Sequence, residues 1–216
     1  MQLSMTLGEN NMFRVYIVLI AIFLLSGCGS WKYKTGEEVT FEIRSWNHDP
    51  IIKKVESADP RTFIQMDGGF GKDKERVFYK GDEIIGADSA TFKQIHWAYS
   101  KDAYGVYLFT CKLKNANPST FQLLEGSWSK DSKNVYHGHQ QVEADVNTFQ
   151  VLGNNWALDK ARAFHALTWV SLGCSDNGPS TVKVFENIDP ETFEVINSFN
   201  AKDINGVYQA LPSPNN

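Results

Sequence analysis

The sequence predicts a mainly β fold: tandem β-meander units of about 28–29 residues with short helical turns, forming an open or partly curled solenoid-like stack. Three observations predict it. A short Asp/Asn-led motif ending in Thr-Phe recurs along the chain. A Lys-Asp signature follows most copies at a fixed distance after the phenylalanine. Aromatic residues reach 13%, a share suited to strands. Self-similarity at a fixed period is the mark of repeat architectures.

The first motif reads Ala58-Asp59-Pro60-Arg61-Thr62-Phe63, then Ala87-Asp88-Ser89-Ala90-Thr91-Phe92 and Ala116-Asn117-Pro118-Ser119-Thr120-Phe121. It returns as Ala144-Asp145-Val146-Asn147-Thr148-Phe149 and Ile188-Asp189-Pro190-Glu191-Thr192-Phe193. The first four phenylalanines are evenly spaced, and the interval before the fifth is markedly longer. Asp before Pro is helix N-cap chemistry, so each motif predicts one short helical turn with its Phe as a buried anchor. The second signature is Lys72-Asp73, Lys101-Asp102, Lys130-Asp131 and Lys202-Asp203, with Leu158-Asp159-Lys160 in the fourth copy. With nearby Gly or Asn these read as tight turns. Val77-Phe78, Val106-Tyr107, Val135-Tyr136, Ala163-Phe164 and Val207-Tyr208 then supply a hairpin arm. Tyr79-Lys80-Gly81-Asp82 reads as a second turn leading to a further strand.

These runs resemble the DKNYY family, a bacterial repeat; Asp131-Ser132-Lys133-Asn134-Val135-Tyr136 and Asp73-Lys74-Glu75-Arg76-Val77-Phe78-Tyr79 are the nearest matches. The resemblance spans about residues 56–210, and it implies an architecture with no catalytic residues to carry over. At the N-terminal end, Tyr33-Lys34-Thr35-Gly36-Glu37-Glu38-Val39 echoes Tyr79–Ile84, so the chain reads as starting in the second half of a unit. It breaks off at Val207-Tyr208 in the first half of another. An open stack would use these halves as caps, whereas a closed propeller-like ring would pair them. Units of this length are short for propeller blades, which favours the open form.

The N-terminus carries its own message. Val15–Leu24 is apolar and uncharged, too short for the roughly 20 residues of a membrane span but the length of a signal-peptide core. Arg14 gives the positive flank, and Met12 reads as the true start. Leu25-Ser26-Gly27-Cys28 follows and resembles the lipobox of bacterial lipoproteins. That resemblance implies cleavage after Gly27 and acylation of Cys28. The division expected is therefore 1–27 signal peptide, 28–55 lipidated cysteine with an N-terminal half-repeat and an irregular segment, 56–210 repeats, and 211–216 tail. An Asp after the cysteine would imply inner-membrane retention; Gly29 leans towards the outer membrane.

A net charge of −4 and a pI near 5.7 leave no basic footprint for nucleic acid. With lipid on one of 3 cysteines, Cys111 and Cys174 remain. In an exported protein they either form a disulfide or stay as two buried thiols. The fourth unit holds an insertion of about fifteen positions within 166–186, including Trp169, Asp176 and Asn177, and this insertion is the candidate binding surface. The irregular stretch at Arg44–Pro50 holds Trp46 and His48. His137-Gly138-His139 has two imidazoles but no third ligand at metal-site spacing, so it reads as a polar hairpin tip. The recurring aspartates are explained as caps and turns, not as calcium ligands. No catalytic residues, metal site or cofactor are expected. The expected role is a membrane-anchored, non-enzymatic binding or structural module facing the periplasm or exterior. Its expected contacts are the membrane through Cys28 and an envelope protein or the cell wall. The alternative is a cell-wall hydrolase using carboxylates in a groove.

Overall fold

In the computed structural model, residues 30–45, 48–166, 174 and 182–210 are described. They form six small antiparallel sheets in chain order. The first holds β1 (Ser30–Thr35), β2 (Val39–Arg44) and β3 (Ile51–Lys54). The second holds β4 (Ile64–Gln65), β5 (Phe70–Lys72), β6 (Val77–Tyr79) and β7 (Asp82–Glu83). The third comprises β8 (Lys93–Gln94), β9 (Tyr99–Lys101), β10 (Val106–Leu108) and β11 (Cys111–Lys112). The fourth comprises β12 (Gln122–Leu123), β13 (Trp128–Lys130), β14 (Val135–His137) and β15 (Gln140–Val142). β16 (Gln150–Gly153), β17 (Trp156–Leu158), β18 (Arg162–Ala166) and β19 (Val182–Glu186) make the fifth. The sixth is β20 (Glu194–Val195), β21 (Asn200–Asp203) and β22 (Gly206–Gln209). Each sheet is a simple meander, and among the described residues no ladder joins the first sheet to the last. The stack is open, not a closed ring.

The two motifs build one hydrogen-bonded corner. Within each first motif the Thr N–H donates to the Asp or Asn carbonyl three residues back, as in Thr62 to Asp59 and Thr148 to Asp145. The Asx side chain also accepts the N–H two residues on, for example Ser119 to Asn117 at 2.9 Å. The expected helical turn is thus a single i to i+3 turn that propagates no further. The aspartate of the second motif then ties the corner shut. Asp131 Oδ1 accepts the N–H groups of Lys133 (2.7 Å) and Asn134 (2.8 Å), and its Oδ2 accepts that of Asn117 (2.8 Å). The bond from the first motif recurs at a separation of 14 residues on Asp73, Asp102, Asp159 and Asp203. The motif threonine accepts an N–H from 12 residues later in all five copies. Four of the five aspartates are buried, and this donor set is what makes a buried carboxylate tolerable.

The core lies between sheets, not within them. One cluster joins Phe70, Val77 and Ile84 of the second sheet to Phe92 and Tyr107 of the next unit. The motif phenylalanine is the pivot at every junction. Its ring contacts an aromatic of the preceding sheet (Tyr33–Phe63 4.9 Å, Trp128–Phe149 5.0 Å, Trp156–Phe193 6.0 Å). It also contacts the hairpin aromatic of its own unit (Phe149–Phe164 5.8 Å, Phe193–Tyr208 5.7 Å). The position beneath that ring must be small: a Cβ on Gly71 would sit 2.5 Å from Phe63. Its counterparts are Ser100, Ser129, Ala157 and Ala201, all fully buried. Each apolar face is buried against the adjacent unit, so neighbours are required for stability.

The terminal sheets are more complete than half-units. In the first sheet Val55 N–H bonds Val39 O, just as Ile84 bonds Val77 and Leu113 bonds Val106. Tyr33, Val39 and Val55 therefore match Phe70, Val77 and Ile84, and this sheet lacks only a leading strand among the described residues. The sixth sheet lacks a fourth strand among the described residues. There Val207 is 67% exposed, although Val77, Val106, Val135 and Ala163 at the matching position are all 0%.

Candidate functional site

A meander places its turns on two edges. The aspartate corners occupy one. The other carries the remaining turns, tied in pairs: Lys80 N–H bonds Gly69 O, Phe109 bonds Ala98, Gly138 bonds Ser127, and Ala166 bonds Asn155. This tip edge holds the features that depart from the repeat. Between the tips of the fourth and fifth sheets lies a cavity of about 150 Å³, lined by Glu125, Ser127, Trp128, His137, Asn154 and Asn155 among others. Asn154 and Asn155 adopt φ of 51° and 68°, a left-handed turn that asparagine tolerates better than most residues. His137 packs on Trp128 with ring centroids 5.0 Å apart. Burial, reinforced by nearby His165, pushes its pKa down to about 4. His165 is also held low, chiefly by burial, and its Nε2 lies 3.0 Å from Ser198 O. Near neutral pH these rings are uncharged.

Ala166 and Val182 pair across β18 and β19, so the insertion leaves and rejoins the fifth sheet at one place. Cys174, within it, is bonded to Cys111 of the third sheet, with Cα atoms 5.0 Å apart. Cys174 is thereby tied to a sheet two places before the one whose strands flank it in sequence. The tip of the fourth sheet, between these two attachments, carries His139. Both its ring nitrogens are buried and have no hydrogen-bond partner among the described residues. His137 and His139 are only 3% and 5% exposed, so this tip is not the open polar turn that its composition suggests.

Two stretches of the chain, residues 16–108 and 53–168, match one protein-family model, described as the DKNYY family. The chain belongs to the DKNYY family. No curated protein and no solved structure matches it. Within the DKNYY repeat, the family's Asp and final Tyr contact each other. The hydroxyls of Tyr107 and Tyr208 lie 2.8 Å from Asp102 and Asp203 Oδ2. Where Phe164 replaces the tyrosine, Arg162 Nη2 reaches Asp159 at 3.0 Å instead. Burial is the largest single influence on Asp131 and Asp159 and opposes their ionisation. Their N–H donors together overcome it and hold both carboxyls below the usual range. The same kind of donors ionise Asp203 readily despite its desolvation. Each of these carboxylates is occupied in folding the DKNYY corner.

Of the residues singled out in the sequence, Cys28, Trp46, Trp169, Asp176 and Asn177 lie outside the described residues, as does the apolar segment Val15–Leu24. Cys111 and Cys174 are brought together. The lysines that precede the corner aspartates have a role that spacing alone did not disclose. Lys72 Nζ donates to Ser89 O at 2.7 Å, Lys101 to Pro118 O at 2.8 Å and Lys130 to Val146 O at 3.3 Å. Each lysine thus caps a carbonyl in the next unit's corner. The only sequence sign of this was the regular offset between each lysine and the following motif.

Proposed function

We propose that this DKNYY protein is a lipid-anchored lipoprotein of the cell envelope whose repeat stack is a non-enzymatic binding or structural platform. The observation that carries the reading is the ordered run of Arg14, the apolar segment Val15–Leu24 and Leu25-Ser26-Gly27-Cys28. Several acyl chains on Cys28 would hold firmly, at about 0.8 kcal/mol per buried methylene. The Cys111–Cys174 disulfide suits the oxidising side of a membrane and supports export. The periplasm or exterior is the compartment proposed, and Gly29 favours the outer membrane. An envelope protein or the cell wall is the partner proposed, with the insertion that holds Trp169, Asp176 and Asn177 as the contact.

The carboxylate chemistry weighs against the hydrolase alternative. A glycoside-cleaving pair needs one acid with a raised pKa. Among the described residues, the carboxylates whose ionisation the fold perturbs, including Glu42, Asp88, Asp131, Asp145 and Asp159, are held lower. The test is metabolic labelling with a palmitate analogue and membrane fractionation, comparing wild type with Cys28→Ser. Label and membrane association in the wild type alone are expected. An unlabelled wild type that keeps its N-terminal segment through Gly27 overturns the anchor.

A further inference from the structure

The first sheet presents apolar side chains at one end. Trp31, Ile43 and Ile51 are direct cross-strand neighbours on one face of β1, β2 and β3. They are 38%, 42% and 65% exposed. β1 starts, β2 ends and β3 starts at this end, so it belongs to the tip edge. The opposite end of the sheet carries the acidic hairpin Gly36-Glu37-Glu38. A strip of aromatic rings continues along the tip edge from Trp31. Lys80 Nζ lies 5.2 Å from the Trp31 ring and 5.3 Å from Tyr79. Tyr79 stacks on Phe109 at 5.2 Å, and Phe109 on Trp97 at 5.5 Å. Trp97 is 62% exposed. The strip crosses the first three sheets and ends in an exposed tryptophan at either side.

Covalent reach identifies what faces it. Trp31 is three residues after Cys28, and a fully extended chain spans at most about 3.6 Å per residue, so Trp31 stays within about 11 Å of the acylated sulfur's residue. That distance is comparable with the headgroup region of a bilayer. Tryptophan, tyrosine and lysine are the residues that settle at this boundary, with rings among the headgroups and the ammonium towards phosphate.

We infer that the tip edge of the first three sheets, from Ile51 and Trp31 to Trp97, lies against the lipid surface, so that the stack rests edge-on at the membrane. This inference rests on acylation of Cys28 and adds an orientation to it. The edge bearing the aspartate corners then faces away, with Tyr104, 73% exposed, at the outer side of the same sheet as Trp97.

The test uses the acylated protein purified from membranes and placed in phosphatidylethanolamine–phosphatidylglycerol vesicles. Single Ile51→Cys, Trp97→Cys and Tyr104→Cys variants are labelled with an environment-sensitive dye, with a nitroxide lipid as quencher. All three sites are exposed, so folding is retained, and circular dichroism checks it. The dye at 51 and at 97 should lose about half its emission, as expected for groups seated at the headgroup–acyl boundary, while the dye at 104 stays unquenched. Equal quenching at 97 and 104, or none at 51 and 97, overturns the orientation. Mass spectrometry of the N-terminal peptide separates the two ideas. An acylated Cys28 without quenching defeats the orientation alone, whereas an unacylated Cys28 defeats the anchor and the orientation with it.

Discussion

The three inner junctions of the stack and the junction between its fifth and sixth sheets are fastened differently. At the inner ones, Lys72, Lys101 and Lys130 reach forward to a carbonyl of the next unit's corner. At the last one, Leu158 stands in the lysine's place. Trp156 Nε1 donates to Asn197 O at 3.2 Å, and His165 Nε2 lies against Ser198 O. The link has moved from the corner edge to the tip edge. What every junction keeps is the motif phenylalanine between two aromatics. Ring packing is therefore the constant of the repeat, and the carbonyl cap is an accessory that different side chains supply.

If that ranking is right, aromatic deletion should far outweigh loss of a cap. Trp156 is fully buried and meets Phe193, Phe185 and His165. Trp156→Ala should cost about 4 kcal/mol, and hydrogen exchange should quicken first in residues 194–209. Uniform loss of protection across all sheets would contradict nearest-neighbour coupling. Asp131→Asn comes next, because an amide would set its NH₂ against an N–H that the carboxylate now accepts. A loss of about 3 kcal/mol is expected in urea unfolding at pH 7, with a smaller loss for the half-buried Asp203→Asn. The pH dependence gives a check of sign. The folded pKa of Asp131 is lowered, so its stabilisation is complete above the unfolded value near 4 and fades as pH falls through the folded value. The variant should lose that part of the acid sensitivity. Lys101→Met is the smallest effect, under about 1 kcal/mol, read as a shift in thermal midpoint. A loss matching that of Trp156→Ala would reverse the ranking.

Much of this was legible in the sequence because its mechanism is local. The Asx turn and the hairpin after each Lys-Asp depend on partners within 14 residues; the motif phenylalanine was read from its recurrence, and it is buried at Phe92, Phe121 and Phe149 but half-buried at Phe63 and Phe193. The open stack followed from the short period. Long-range features were not legible. His137-Gly138-His139 has the composition of a surface turn, and its burial depends on what packs over it from elsewhere in the chain. Spacing could not choose between a bonded and a reduced Cys111 and Cys174, since 63 residues separate them. The small residue under each phenylalanine was visible as Gly71, Ser100, Ser129, Ala157 and Ala201, but only a structure explains it as ring clearance.

The fixed reach of the threonine and carboxylate bonds across each corner sets a rule for length variation. Adding or removing residues between a motif threonine and the aspartate after it would strand an N–H in every case. Beyond that aspartate, the chain between β18 and β19 carries none of these bonds among the described residues. The long interval between Phe149 and Phe193 is accordingly the place where new sequence was accommodated without disturbing a corner. Grafts of foreign peptide at that site, or insertion of a complete further repeat, should leave the neighbouring corners intact. A graft of even a short peptide inside a corner should not.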